Sequence, residues 1–489
     1  MKQHVISLQE WIQYQPYRVI EDDDQYFTLI ASEIYSILDI SKIGEALDYS
    51  SKDLRTISCC ITNWYICVIS NIWIWQSFKD ECRKLYGRPL PFYEVSKKYS
   101  ENEVNYEDIC FLLWFYMQQL NPNRLINPIN PGIEMIADQI TEALSEDFIL
   151  APENERINMF LFPEKETMRF SEYKGILDWF HYKSYLNIFN IKELDEQTAD
   201  IHKSRKNESE KHMLTVATRL ELCLKSPNRM MALTSPEWMA RFIPKHHPLH
   251  ALYNNVKLRD HTYYLFKRLD EMYIYVSDIA TEEEFAVKKE SIDKKTVANL
   301  TADDSVFMML LICFDEEWWQ CGRLSMYSIN NMPEEKPSDD KEKEKAYNDF
   351  IAASKGKEFL YFSSQKDLYA FLRKEMNYSL IDNSQVPDNI GNKLLLTATP
   401  KEGLIFLEKG IECIKDPDNP FYDRKVADRE AMSFIVIPDF CPFEIVCKLI
   451  DKNMLPDALF NNLGNKKAAR KFMADNIDFC LRYFLNKHR

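Results

Sequence analysis

The stretch 56–78, TISCCITNWYICVISNIWIWQSF, decides how the N-terminal part of this 489-residue chain folds. It carries no charged residue, and a stretch of this length could cross a lipid bilayer. Asn63, Asn71 and Gln76 interrupt it, and each polar group is costly in hydrocarbon. We therefore predict a buried core segment of a soluble protein. Because the apolar pattern is longer than a typical globular helix, we also predict a break near Ser70–Asn71.

Outward from this stretch, the apolar pattern predicts an α+β protein. Apolar residues recur every three or four positions, which predicts a helical domain over 1–160 and a helical middle region over 161–298. From about 299 the pattern changes to continuous apolar runs, which are typical of buried strands. A smaller mixed α+β domain is therefore predicted over 299–489, with a charged loop at 331–346.

The mixed domain is predicted to contain short strands followed by helices. The runs at 305–314 and 318–329 predict one hairpin, and those at 393–399 and 403–408 predict another. Single strands are predicted at 358–363 and 434–437. Helices are predicted at 365–374, 442–451, 465–474 and 477–486.

Composition argues against several common classes of enzyme. The chain has only 10 glycines, and phosphate-cradling loops need glycine where the backbone must approach the ligand. Neither a dinucleotide-binding nor a P-loop motif is present, so no cofactor is predicted. The 12 cysteines include no Cys-x-x-Cys pair, and several lie inside apolar runs. Together with an N-terminus unlike a signal peptide, they predict a cytoplasmic protein.

Two groups of residues are candidate metal ligands for an enzyme. His246, His247 and His250 form a histidine cluster, and neutral imidazoles can bind a metal ion. Asp315 and Glu317 directly follow an apolar run, and paired carboxylates can hold Mg²⁺ or transfer protons. For the histidines, the surrounding prolines favour a loop of packing histidines. For the acids, a metal-dependent nuclease would also need an E-x-K motif on the next strand. That motif is missing, which favours a hairpin turn with solvated acids.

A basic stretch is the candidate site for nucleic acid. Lys203, Arg205 and Lys206 cluster in a predicted helix, but Glu208 and Glu210 interleave with the bases that follow. A solvated helix face is therefore favoured. The formal net charge of −15 further opposes binding to a phosphate backbone, since such binding depends on Lys and Arg releasing counterions.

Aromatic residues make up 13% of the chain and crowd its N-terminal part. Trp73, Trp75, Tyr86, Phe92 and Tyr93 are candidates for a ligand groove or a partner surface. Core packing is the alternative interpretation of the same residues. If these residues form a partner surface, the expected partner is another protein and not a membrane.

Several segments resemble an uncharacterised bacterial protein family of unknown function. The most specific are KLYGRPLPFY at 84–93 and NYEDICFLLW at 105–114. SLQEWIQYQPY at 7–17 and NIDFCLRYF at 476–484 are also similar to segments of that family. The resemblance implies a soluble bacterial protein and carries over no activity and no site residues.

The sequence thus supports three functional hypotheses and leaves open whether the protein is an enzyme. The first is a soluble intracellular protein that binds another protein or a ligand, since standard catalytic motifs are missing. The second is a non-standard metal-dependent hydrolase that uses the histidines or the carboxylates. The third is a nucleic-acid-binding accessory protein that uses the basic stretch.

Overall fold

The computed structural model describes residues 5–122, 126–146, 148–165, 168–302, 304–333, 340–378, 393–455 and 471–487. Within these, the residues up to Met332 form one compact unit and those from Pro333 onward form a second. The first unit contains helices and a barrel, and the second contains helices and a three-stranded sheet. The α+β fold class, with helices dominating the N-terminal and middle parts, is confirmed.

The helices of the first unit form one layer, and the barrel packs against it. In chain order they are α1 (Leu8–Trp11), α2 (Asp22–Ile40), α3 (Ile43–Leu47), α4 (Ser51–Ile69), α5 (Ile74–Tyr86), α6 (Tyr106–Leu120), α7 (Pro131–Glu146), α8 (Glu155–Leu161), α9 (Phe170–Tyr182), α10 (Ile191–Ser204), α11 (Glu208–Lys225), α12 (Ser235–Phe242) and α13 (His250–Asn254), with α14 (Lys294–Ala298) inside the barrel sequence.

Helices α4 and α6 are the centre of the helical layer. A capping box starts α4, in which the Ser50 hydroxyl accepts from Asp53 N and the Asp53 carboxylate accepts from Ser50 N. Nearly every residue from Ile57 to Cys67 is buried, and a helix that is apolar on all sides belongs in a core. The predicted break is confirmed, because Asn71 adopts a φ of 52° and α5 leaves at 86° to α4.

The length and composition of α4 and α5 bear on whether this segment could cross a membrane. Among the described residues, no single helix is both long and apolar enough to cross a membrane. Helices α4 and α5 reach the required length and composition only as a sharply bent pair.

A five-stranded closed barrel follows the helices in the first unit. Its strands lie in the order β1-β2-β3-β5-β4, all neighbours being antiparallel except β3 and β5, which pair in parallel at Val287 and Trp318. This is the strand order of OB-type Greek-key barrels. The strands are β1 (Lys257–Leu269), β2 (Tyr273–Asp278), β3 (Glu284–Lys288), β4 (Ser305–Phe314) and β5 (Glu317–Ser328). Buried side chains that fill the barrel include Tyr264, Phe266, Ile274, Val276, Phe285, Val287, Phe307, Met309 and Leu311.

The barrel begins earlier in the chain than the helical pattern predicted. The prediction of helix throughout 161–298 is wrong from Lys257 onward, where β1, β2 and β3 lie. Tyr264 and Phe266 alternate with outward residues at the period of a strand, but the adjacent Tyr263 and the exposed Leu269 obscure that alternation. The hairpin predicted at 305–329 is confirmed by β4 and β5.

Helix α11 is joined to the barrel by the carboxylate of Glu221. It accepts hydrogen bonds from the backbone N–H of Arg323 and, at 3.1 Å, from the Arg323 side chain. Gly322 permits this approach, since its φ is +70° and an added Cβ would lie 2.8 Å from Glu221 Cδ. His261 Nε2 donates to the same carboxylate at 3.2 Å, and His261 Nδ1 lies 3.4 Å from Asp260.

The second unit is built on strands β6 (Leu360–Phe362), β7 (Leu394–Thr399) and β8 (Gly403–Leu407), which form an antiparallel sheet in that order. Its helices are α15 (Asp340–Ala353), α16 (Gln365–Glu375), α17 (Arg424–Glu430), α18 (Ser433–Val436), α19 (Phe443–Asp451) and α20 (Ile477–Leu485). Buried residues of α15, α16 and the sheet share one core, which includes Phe350, Leu368, Leu372, Leu394 and Leu396.

Most elements predicted in this region are confirmed, with two corrections. The predicted strand at 434–437 is wrong, because Phe434 and Ile435 are buried in helix α18. The predicted charged loop at 331–346 is wrong from Asp340 onward, where α15 begins, and residues 334–339 lie outside the described residues. Most of the helix predicted at 465–474 also lies outside them.

We predict that Gly322→Ala lowers the free energy of unfolding by about 2–4 kcal/mol, because the new Cβ adds both backbone strain and a clash with Glu221. The control is Gly175→Ala in α9, where no atom lies within 4 Å of the added Cβ. That variant should be more stable by about 0.5–1 kcal/mol. Urea denaturation measures both, and equal effects of the two substitutions would contradict the role of Gly322.

We also predict a pH-dependent contribution from His261. The hydrogen bond to Glu221 outweighs burial and raises the pKa of His261 above its ordinary value of 6.5. The stabilisation is therefore fully present below about pH 6.5 and is lost as the pH rises through the folded-state pKa. Wild type should exceed His261→Gln in unfolding free energy at pH 6, with a smaller difference at pH 8. In a Glu221→Gln background the pH dependence of this difference should become smaller, since only Asp260 then raises the pKa of His261, and an undiminished pH dependence there would refute the pairing.

Candidate partner-binding surface

The aromatic residues predicted to line a partner surface lie mostly in the core. Trp75, Phe92 and Tyr93 are 3%, 7% and 9% exposed and pack among other rings of the helical layer. These three side chains are therefore largely covered within the protein, Trp75 in α5 and Phe92 and Tyr93 in the loop that follows α5. Trp73 and Tyr86 are half-buried.

The histidines predicted as metal ligands are not gathered into a site. His246 lies edge-on to Trp73 and His247 packs against Phe162, while His250 is the first residue of α13. Across the described ranges, no three His, Cys, Asp or Glu side chains are placed together so that they could hold a metal ion. In these ranges neither the three histidines nor Asp315 and Glu317 are part of such a group.

Asp315 and Glu316 form the two-residue turn between β4 and β5. Both have positive φ, 50° and 62°, as expected for the tight turn of a twisted hairpin. Glu317 then starts β5, and its carboxylate accepts from Lys288 Nζ at 2.5 Å and from the Tyr273 hydroxyl at 2.9 Å. Asp315 and Glu316 thus lie in a hairpin turn, whereas Glu317 lies in β5 and is paired with Lys288.

The basic stretch lies at the end of α10 and in the loop after it. Lys203, Arg205 and Lys206 are exposed. Lys203 Nζ is 3.5 Å from Asp200, and Arg205 is 3.4 Å from Glu210. Two of the three positive charges thus have an acidic neighbour, and nucleic-acid binding by this stretch stays a prediction.

Two acidic turns meet at one end of the barrel. The Tyr273–Glu317 hydrogen bond brings the start of β2, just after the β1–β2 turn, beside the start of β5. In the β1–β2 turn, Asp270 accepts from the backbone N–H of Tyr273, at 2.7 Å, and of Met272, at 2.8 Å. These bonds lower the pKa of Asp270 below its ordinary value. The exposed acids of both turns are named the acidic rim, which consists of Asp270, Glu271, Asp315 and Glu316.

Tyrosine rings beside the acidic rim already hold cations. The Arg268 guanidinium lies 3.4 Å from the centroid of the Tyr275 ring, and Lys288 Nζ lies 4.8 Å from that of Tyr273. The Tyr275 hydroxyl donates to Asp270 at 2.9 Å. A cation over an aromatic face is attracted by the electrons of the ring, and each of these two rings has a cation of the chain itself beside it.

The charge of the barrel favours a positively charged ligand. Residues 257–331 contain nine Lys or Arg and fourteen Asp or Glu. Several of the bases are held by acids of the same protein, as Lys288 is by Glu317 and Arg259 by Glu283. An acidic surface of this kind attracts cations and repels phosphates.

Sequence reasoning noticed the acids after β4 but missed Asp270, Tyr273 and Tyr275. The sequence pattern that could have identified the two tyrosines is the alternation Tyr273-Ile274-Tyr275-Val276. In it, the isoleucine and valine are buried and the tyrosines are half-buried. Such an alternation predicts a strand with an aromatic outer face.

Two buried carboxylates elsewhere in the helical layer are engaged in packing. Asp24 accepts from Trp11 Nε1 and from Arg156, both at 3.0 Å. Asp108 accepts from the Tyr99 hydroxyl at 2.8 Å, and burial raises its pKa. Hydrogen bonds of this kind offset the cost of burying a polar group, so both residues have a structural explanation.

Comparison with known proteins gave one result. A model of the family described as "Protein of unknown function (DUF3843)" matches residues 6–263 and 315–486. The intervening residues, which the match skips, carry β2, β3, β4 and the end of β1. Neither the curated proteins nor the solved structures gave a match. The predicted resemblance to an uncharacterised family is confirmed.

Proposed function

We propose that this chain, which belongs to the family described as "Protein of unknown function (DUF3843)", binds a Lys- or Arg-rich segment of another protein at the acidic rim of its barrel. The observation that carries the proposal is the meeting of two exposed acidic turns beside tyrosine rings that already hold cations.

Charge complementarity supports a protein segment over a nucleic acid. OB-type barrels use the outer face of strands two and three, with the β1–β2 and β4–β5 turns, to bind oligonucleotides or oligosaccharides. Here both turns are acidic, at Asp270–Glu271 and Asp315–Glu316, so they would repel a phosphate backbone. The likeness to OB-type barrels is an analogy in fold and does not decide the ligand. The charges of the two turns favour a basic ligand.

Tyrosine and carboxylate together suit arginine and lysine side chains. A guanidinium can lie over a ring, as Arg268 does over Tyr275, and a guanidinium can also donate to a carboxylate beside the ring. The exposed Met272, 58% accessible, adds apolar contact area beside the rim for the stem of a long basic side chain.

We also propose that the protein works in the cytoplasm. All twelve of its cysteines lie in the described residues as free thiols, and most of them are buried. Burial raises the pKa of several of these thiols, among them Cys321 to about 12, which keeps them unreactive. Free buried thiols are compatible with a reducing compartment.

The test measures binding of a fluorescein-labelled peptide of alternating arginine and glycine by fluorescence anisotropy. The rim variant is Glu271→Gln/Asp315→Asn/Glu316→Asn, in which asparagine tolerates the positive φ of the turn. Loss of three charges should weaken binding about tenfold, since an exposed ion pair contributes roughly 0.2–1 kcal/mol. Added salt should weaken binding to the wild type and have less effect on the variant.

The matched control removes the same three charges from α10, as Asp195→Asn/Glu196→Gln/Asp200→Asn, where all three residues are exposed. It should bind the peptide as wild type does. Equal loss in the two variants would show non-specific attraction to an acidic protein and would reject the proposal. Binding of labelled single-stranded oligothymidine in place of the peptide, abolished by Lys203→Glu/Arg205→Glu/Lys206→Glu, would instead support the nucleic-acid hypothesis.

A further inference from the structure

A cleft of about 670 Å³ lies where the helical layer meets the barrel in the first unit. Its walls come from the C-terminal end of α11, from α12 and α13, and from β1 and β4. The volume is within the range of about 300–1,000 Å³ that small-molecule sites occupy. None of its lining residues belongs to the acidic rim.

Apolar side chains form part of the cleft wall. Leu224, Tyr253 and Ile312 form buried wall surface, with exposures of 2% or less. Leu258 stands on its edge and is 39% exposed, which is high for a large apolar side chain on a strand. An apolar body entering the cleft would cover this side chain and remove its surface from water.

Two cationic side chains, Lys225 and Arg241, line the same cleft. Arg241 Nη1 donates to the backbone oxygen of Glu237 at 2.9 Å, and Arg241 Nε lies 3.8 Å from the Glu81 carboxylate. A guanidinium has five N–H donors, more than these contacts use. Lys225 Nζ is held by Asp260 at 2.5 Å and is still 38% exposed.

We infer that this cleft binds a small organic anion with an apolar body. Arg241 and Lys225 would contact its carboxylate, sulfonate or phosphate group, and the apolar body would lie along Leu224, Leu258 and Ile312. Glu237 also lines the cleft, and Asp260 and Glu81 face Lys225 and Arg241, so the anion would be held by the N–H donors of these two side chains that the acids leave unused. This site is independent of the proposed protein-binding function.

The experiment uses two fluorescent probes of nearly the same shape. 1-Anilinonaphthalene-8-sulfonate carries one negative charge, and N-phenyl-1-naphthylamine is the same ring system without the sulfonate. Titrations of the full-length protein should show saturable binding of the sulfonate probe. Arg241→Gln and Lys225→Gln should each weaken it about five- to tenfold, because each removes one charged donor to the sulfonate and both donors are already shared with acids of the protein.

The affinity for the neutral probe should change less than twofold in these two variants. Leu258→Ser should weaken the binding of both probes. The position is partly exposed, so the variant should still fold. Lys203→Gln is the matched control, because it removes a distant exposed positive charge and should alter neither titration. Thermal unfolding of each variant, followed by circular dichroism, identifies any that fails to fold. Lys225→Gln then tests the inference if Arg241→Gln does not fold.

Sulfonate-probe affinities within twofold of wild type in both folded variants would overturn the inference. Equal weakening of both probes by Arg241→Gln would also overturn it, because that result shows a packing effect without anion recognition. The arginine–glycine peptide should not displace the sulfonate probe, which distinguishes this cleft from the acidic rim.

Discussion

Glu221 joins the helical layer to the barrel, and the rest of the first unit is arranged around that contact. Its carboxylate accepts from the backbone and the side chain of Arg323 and from His261 Nε2. The approach is possible only because position 322 lacks a Cβ. A largely buried carboxylate is costly unless its lone pairs are used, and here three donors use them.

This contact determines which part of the barrel is covered. Rings of α9 pack against the barrel beside it, with Phe170 stacked on Trp319 at 4.7 Å and Tyr173 at 4.8 Å from Phe314. The helices therefore cover the outer face of β5 and the end of β4, and the cleft between α11, α12 and β1 forms along the same boundary. The acids of the rim are left exposed.

Much of the fold followed from the sequence, because its apolar patterns were strong and local. The break near Ser70–Asn71, the two hairpins and the helix at 365–374 were predicted from periodicity and turn residues alone. The first three barrel strands were missed, because paired aromatics such as Tyr263–Tyr264 obscure a period of two. The helix at 433–436 was missed because a short apolar run such as FIVI has no period to measure.

The candidate surface was less predictable than the fold. Acids at 315–317 were noticed, but their neighbours Asp270 and Tyr273 are more than forty positions away and meet them only through barrel closure. The approach of Glu221 to Gly322 also joins residues about a hundred positions apart. A single glycine in a strand indicates a bulge, and no local pattern indicates which side chain will fill the space.

Hydrogen–deuterium exchange, measured with and without the arginine–glycine peptide, tests the central claim most directly. Peptic fragments that cover 269–277 and 312–319 should exchange more slowly when the peptide is bound, because the rim turns and the start of β2 become covered. Slower exchange confined to 200–212, or no change at either rim turn, would contradict the account.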